Sequence, residues 1–180
     1  MPKISHCLDE KSHGVLLSCM SFLESALNVD EGLAPHIVEL IPKITRAYRL
    51  ITQEHNSEYE IGGIQDPFLQ VAVLRLLRTL RKITPTFDKQ FAEVLMICHD
   101  SIAARVTANL KNGANAVLFE CFQCFMTLDT SSQVKSVASS VLNKFISVKD
   151  ANAKYLSLFN LGLMSKRDTS IVRNHEKTIF

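Results

Sequence analysis

Apolar residues recur along this chain at spacings of three and four, and short polar stretches interrupt the recurrence throughout its length. The pattern predicts helices near Gly14 to Asn28, Pro35 to Glu54, Pro67 to Ile83, Phe87 to Thr107, Ala114 to Leu128, Ser132 to Val148 and Ala151 to Met164. A last one runs from Thr169 towards the C-terminus. No segment shows convincing strand alternation, so the predicted class is all-α. Pro42 falls inside the second stretch, where it must kink the helix or mark its true start. Asn56 to Gly63 is the longest polar break and is expected to be a surface loop.

The segment Gly63 to Arg81, GIQDPFLQVAVLRLLRTLR, carries the strongest local signal. Asp66 can accept hydrogen bonds from free backbone N–H groups, and Pro67 suits a first helical position, where its missing N–H costs nothing. On the helix that follows, Ala72, Ile83, Leu76, Leu69, Leu80, Val73 and Leu77 share one apolar arc. Arg75, Arg78, Arg81 and Lys82 lie opposite. Phe68, Val71 and Leu74 interrupt the basic side, which predicts partial cover there too. These four cations are the candidate partner-binding residues, with a solvated or intramolecularly paired face as the competing reading.

The helices also show a weak repeat. Asp66, Asp129 and Asp150 each precede by five residues an apolar position, Val71, Val134 or Tyr155, that starts an apolar face, and Asp168 opens the last segment similarly. The later steps give a helix pair close to the length of HEAT and armadillo repeats, so the expected architecture is an α-solenoid of such repeats in a single domain over residues 1–180. Ala114 to Leu128 has so few polar interruptions that it needs burial nearly all round, as an interior helix of a stack does.

Composition narrows the function classes. With 47% hydrophobic and 21% charged residues the chain has ordinary globular composition. A net charge of +2 gives no basis for nucleic-acid binding. The charge is uneven: residues 1–60 hold five cations against nine carboxylates, 61–110 six against four, and 111–180 nine against five. No run is long and apolar enough for a membrane span, and the N-terminus lacks a secretory pattern, so a cytoplasmic location is expected. Five scattered cysteines, Cys7, Cys19, Cys98, Cys121 and Cys124, read as reduced thiols, most of them in the core.

Catalytic and cofactor chemistry finds little support in the residues. Cys121 and Cys124 form a CxxC, but zinc needs four ligands and no second pair lies at a useful spacing, so a metal is not expected. Cys98 and His99 are adjacent on a helix and point about 100° apart, which prevents a nucleophile–base pair. Gly62 and Gly63 lack any phosphate-cradling pattern, and no cofactor is predicted. Residues 156 to 163, LSLFNLGL, faintly resemble a clathrin-box peptide, but Gly162 takes the acidic place and the segment reads as helix.

Three blocks bring a family resemblance. EKSHGVLL at Glu10 to Leu17, GIQDPFLQVAVLRLLR at Gly63 to Arg78 and GANAVLFEC at Gly113 to Cys121 resemble blocks of the gamma-adaptin family in the same order and at similar separation. KDANAKYLSL from Lys149 and RNHEKTI from Arg173 extend the likeness to nearly the whole chain. Ala72 and Ala153 stand where that family tends to carry arginine. The resemblance covers a middle portion of the trunk, without hinge or appendage, and implies a non-catalytic HEAT-type scaffold in a clathrin adaptor complex. It further implies beta-adaptin, mu and sigma chains and an Arf-family GTPase as partners. It also implies peripheral membrane association at Golgi, trans-Golgi network, endosomes and clathrin-coated vesicles, and intracellular protein transport as the role.

Overall fold

Proline and aspartate set the helix boundaries in the computed structural model of the protein. It describes residues 2–54, 58–105, 112–128, 140, 142–143, 145–147 and 149–166. Helix α1 spans Pro2–Cys7 and α2 His13–Val29, followed by a 3-10 turn at Glu31–Leu33, α3 at Ala34–Val38 and α4 at Ile41–Gln53. The expected Pro35 to Glu54 helix is therefore two helices. Pro42 sits in the first turn of α4 with Leu40 as its N-cap, so the proline marks a true start. Helix α1 carried no distinct sequence signal and was not anticipated.

Two short strands, β1 Glu60–Ile61 and β2 Ile64–Gln65, pair antiparallel between α4 and α5. They correct the expectation of a plain loop and of no strands at all. Gly62 and Gly63 form the connection, with φ of 66° and 87°. A two-residue hairpin turn of primed type needs such angles, and glycine adopts them freely. Two residues per strand are too few to show alternation, but the Gly-Gly pair between Ile61 and Ile64 was the available signal.

Helix α5 spans Pro67–Ile83, as its sequence dictates, α6 spans Asp88–Arg105 and α7 Asn112–Phe125. The chain divides into two compact units, Met1–Leu128 and Asp129–Phe180. In the first, α2, α5 and α7 lie side by side in one layer, while α4 packs on α6 and α6 also packs on α7. Pro67 and Asn112, the first residues of α5 and α7, are 45 positions apart, within the roughly 40–47 of HEAT and armadillo repeats. This is the HEAT-like, all-α arrangement the periodicity predicts.

The core follows the predicted faces closely. Leu69, Val73, Leu76, Leu77 and Leu80 of α5 are all fully buried, and Leu74 on the basic side is buried with them. Phe68 is not: it stands 67% exposed. Helix α7 buries Val117, Leu118, Cys121, Phe122, Cys124 and Phe125, leaving Ala116 exposed.

In the second unit, α8 spans Ala151–Ser165, with Asp150 Oδ1 accepting from the Ala153 amide at 2.8 Å as an N-cap. Its apolar residues Tyr155, Leu158 and Phe159 face outward, whereas Ser157 and Asn160 are fully buried. Those two donate to carbonyls four residues back, at 2.6 Å each, which offsets part of the cost of burying them. Most of the predicted Ser132 to Val148 helix lies outside the described residues. So do the segment from Thr169, the repeat positions Asp129, Val134 and Asp168, and the RNHEKTI block.

Candidate functional site

The three sequence blocks meet at the start of α5. Asp66 adopts φ 32° and ψ 72°, the left-handed region, and its Oδ1 accepts from the Leu69 amide at 2.9 Å. Its other oxygen, Oδ2, lies 2.8 Å from His13 Nδ1 in the first block. The far nitrogen of the same ring, Nε2, lies 3.1 Å from Glu54 Oε2 just past the end of α4. Tyr59 stacks on the imidazole with centroids 4.6 Å apart. The third block enters through Gly113. A Cβ there would sit 3.3 Å from Pro67 Cγ and 3.4 Å from the Ile61 carbonyl oxygen, so glycine lets the start of α7 pack tightly against the start of α5.

A buried polar relay fixes the hairpin to the same helix. Tyr48 Oη on α4 donates to Gln70 Oε1 at 3.0 Å, Gln70 Nε2 donates to the Gln65 carbonyl at 2.6 Å, and Gln65 Nε2 donates to Glu60 at 2.8 Å. Burial, with Cys98 nearby, pushes the Tyr48 phenol well above its ordinary range and keeps it a donor. The Asp66 node and the relay hold helix ends together: their central groups His13, Asp66, Tyr48 and Gln70 are buried.

Each arginine of the basic row faces an acid on a neighbouring helix. Arg78 Nε donates to Glu120 Oε1 on α7 at 2.6 Å, with both side chains mostly buried. Arg81 pairs with Asp88 at the start of α6, its Nη2 lying 3.1 Å from Asp88 Oδ2. Arg75 differs. Its Nε is 3.7 Å from Glu24 Oε1 on α2, beyond hydrogen-bond reach, its side chain is 53% exposed, and it hydrogen-bonds to no described residue. Lys82 is exposed on the same side. The row thus consists of two arginines that clamp helices and two cations that face outward. Sequence reasoning missed Glu24, Glu120 and Asp88 as partners because pairing between helices has no local spacing signal.

Arg75 closes one end of a trough of about 580 Å³ on the α2–α5–α7 layer. Leu17, Val71 and the exposed Phe68 and Ile61 give it apolar walls; Ala72 and Ala116 give it a shallow floor.

The cysteines are core groups. Cys121 Sγ lies 3.7 Å from the Leu95 carbonyl on α6 and Cys124 Sγ 3.4 Å from the Leu74 carbonyl on α5, so the CxxC thiols point at different helices. Cys98 is fully buried, while neighbouring His99 Nδ1 faces Asp100 at 3.1 Å. Burial is the first cause that pushes the Cys19, Cys121 and Cys124 thiols up. Only a thiolate that the reagent can reach attacks an alkylating agent, so Cys121 and Cys124 should react with iodoacetamide about a hundredfold more slowly than half-buried Cys7. Mass spectrometry of timed samples, with a urea-unfolded control, reads this directly.

A pH effect follows from the same groups. In the folded chain Cys121, Cys124 and Tyr48 hold their protons to higher pH than when unfolded. Their contribution is therefore intact below the ordinary thiol range and is lost as pH rises through the raised folded values. The urea midpoint should fall steadily on the alkaline side of neutrality; a flat profile there would contradict the burial.

The sequence profile of the adaptin N terminal region matches residues 1–180. The "AP-1 complex subunit gamma" of Dictyostelium discoideum is 32% identical over 183 residues, covering 99% of this chain and 20% of that protein. The "AP-1 complex subunit gamma-1" of Schizosaccharomyces pombe is 30% identical, covering 98% of this chain and 20% of its own length. The "AP-2 complex subunit alpha-1" of Arabidopsis thaliana is 30% identical, covering 98% and 18%. This chain thus spans about a fifth of the length of the curated relatives it matches. No described helix is long and apolar enough to cross a membrane.

Proposed function

We propose, from the premise that this chain belongs to the adaptin N terminal region family, that it is a non-catalytic scaffold segment of a clathrin adaptor complex. The match over all 180 residues carries the reading. Residues 1–180 then form one stretch of a helical trunk, and the chain acts in intracellular vesicle-mediated protein transport. Its partners are the beta-adaptin, mu and sigma chains, with an Arf-family GTPase bringing the complex to Golgi, trans-Golgi network and endosomal membranes. The gamma relatives favour the AP-1 type. Inert buried thiols and helix-clamping ion pairs fit a scaffold, whose energetics lie in packing.

Affinity isolation of the full chain from native cytosol tests this. Recovery of sigma and beta-adaptin chains is the expected result, and their absence at low salt would refute assembly.

Within the basic row, the docking role we propose rests on Arg75 and Lys82, the two cations that face outward; Arg78 and Arg81 orient the helices that carry them. A double Arg75→Gln, Lys82→Gln variant keeps helix propensity and should fold normally while binding its partner chains more weakly and with less salt dependence. Unchanged recovery at low and high salt would make the row a solvated face.

A further inference from the structure

We infer that the trough between α2, α5 and α7 is a docking slot for an amphipathic helix of a partner chain. A bulky apolar side chain of that helix seats beside Phe68, and a carboxylate two turns away is taken by Arg75. The inference rests on the basic row being a docking face and names what docks there.

Charge sets the occupant. Among the described residues Arg75 is the arginine of the row whose guanidinium makes no hydrogen bond, and it stands half exposed at the trough's end with Glu24 at 3.7 Å. Its ion pair with Glu24, which also lines the trough, is long and leaves the planar fork of N–H donors without a hydrogen bond, so the half-exposed guanidinium can take a better-placed carboxylate delivered from outside. The opposite end is apolar. Phe68 at the start of α5 is 67% exposed and Ile61 of β1 44%, two large apolar faces left side by side in water.

Geometry sets the form. Phe68 and Arg75 lie on one face of α5, seven residues and so about 10.5 Å apart along its axis. A helix laid along α5 matches them with an apolar residue and an acid at the same two-turn spacing. The shallow floor of Ala72 and Ala116 lets a helix backbone approach closely, since packing distance follows the side chains at the contact. An extended peptide would want a free strand edge along the floor, but three helices make up the trough apart from Ile61 of β1.

The test uses the full chain and a synthetic helical peptide of Ala and Gln bearing one Leu and one Glu about seven residues apart, read by fluorescence anisotropy. The peptide should bind, and Arg75→Gln should weaken it about tenfold. Changing the peptide's Glu to Gln should weaken binding to the same degree, with no further loss when both changes are combined. Ala72→Arg, which fills the floor, should abolish binding while circular dichroism stays native; Lys89→Gln, an exposed cation on α6 outside the row, should leave it unchanged. No binding, additive losses, or equal binding by the Ala72→Arg variant would overturn the slot. Binding to anionic lipid vesicles but not to the peptide would also overturn it, in favour of a membrane-facing cation. If the peptide fails while the Arg75, Lys82 double variant still weakens recovery of the partner chains, the slot falls and the row stands.

Discussion

Phe122→Ala is expected to destabilise the fold by about 3–5 kcal/mol. Phe122 is 1% exposed in the last turn of α7, a helix that packs against both α5 and α6. Its neighbours on the helix show how tightly α7 is held: Cys121 reaches a backbone carbonyl of α6 and Cys124 one of α5. Surroundings fixed by two helices collapse poorly into a void, so the cavity term adds to the lost transfer free energy. Urea unfolding should show a lower midpoint with an unchanged slope. Phe68→Ala is the internal comparison, because a side chain 67% exposed on α5 should change stability by about 0.5 kcal/mol or less. A loss under about 1 kcal/mol for Phe122→Ala would mean that α7 is not the interior helix of the stack.

What the sequence disclosed and what it hid divide along one physical line. Periodicity reports which residues share a helix face, so the bounds of α5 and the buried set Leu69, Val73, Leu76, Leu77 and Leu80 were legible from spacing alone. Local capping chemistry was legible at Asp66, which caps the helix it precedes; Asp150, marked in the sequence only as a repeat position, does the same. Periodicity does not report which side of a helix meets a neighbour. Phe68 was read as partly covered and stands exposed, and α8 buries Ser157 and Asn160 while Tyr155 and Phe159 face outward. Nor does spacing reveal pairs between distant segments, such as Arg78 with Glu120 or His13 with Asp66. A non-local hint existed nonetheless. The blocks that carry the family resemblance contain those partners, and the fold brings the blocks to one place: His13 from the first, Asp66 and Pro67 from the second, Gly113 and Glu120 from the third.

Asp66→Ala should be almost as damaging as the loss of a core aromatic, at about 3–5 kcal/mol, and its comparison with Asp66→Asn separates the causes. Three contributions meet in this side chain, which is 5% exposed. Its Oδ1 caps α5 through the Leu69 amide, a bond whose loss costs about 1 kcal/mol. Its Oδ2 partners the buried His13 ring, and leaving a buried polar group without that partner costs about 1–3 kcal/mol. Its backbone holds φ 32°, a conformation that aspartate and asparagine tolerate and alanine resists by about 1–2 kcal/mol. These share one site and will not add simply. Asp66→Asn retains the cap, the backbone tolerance and a polar contact to the imidazole, and gives up only the negative charge, so it should cost about 1–2 kcal/mol. If Asn proved as harmful as Ala, the charge facing His13 would be the dominant contribution and the cap a minor one. If Ala cost under about 1 kcal/mol, the meeting point of the three blocks would carry no special share of the stability, and their likeness to the adaptin family would need another physical cause.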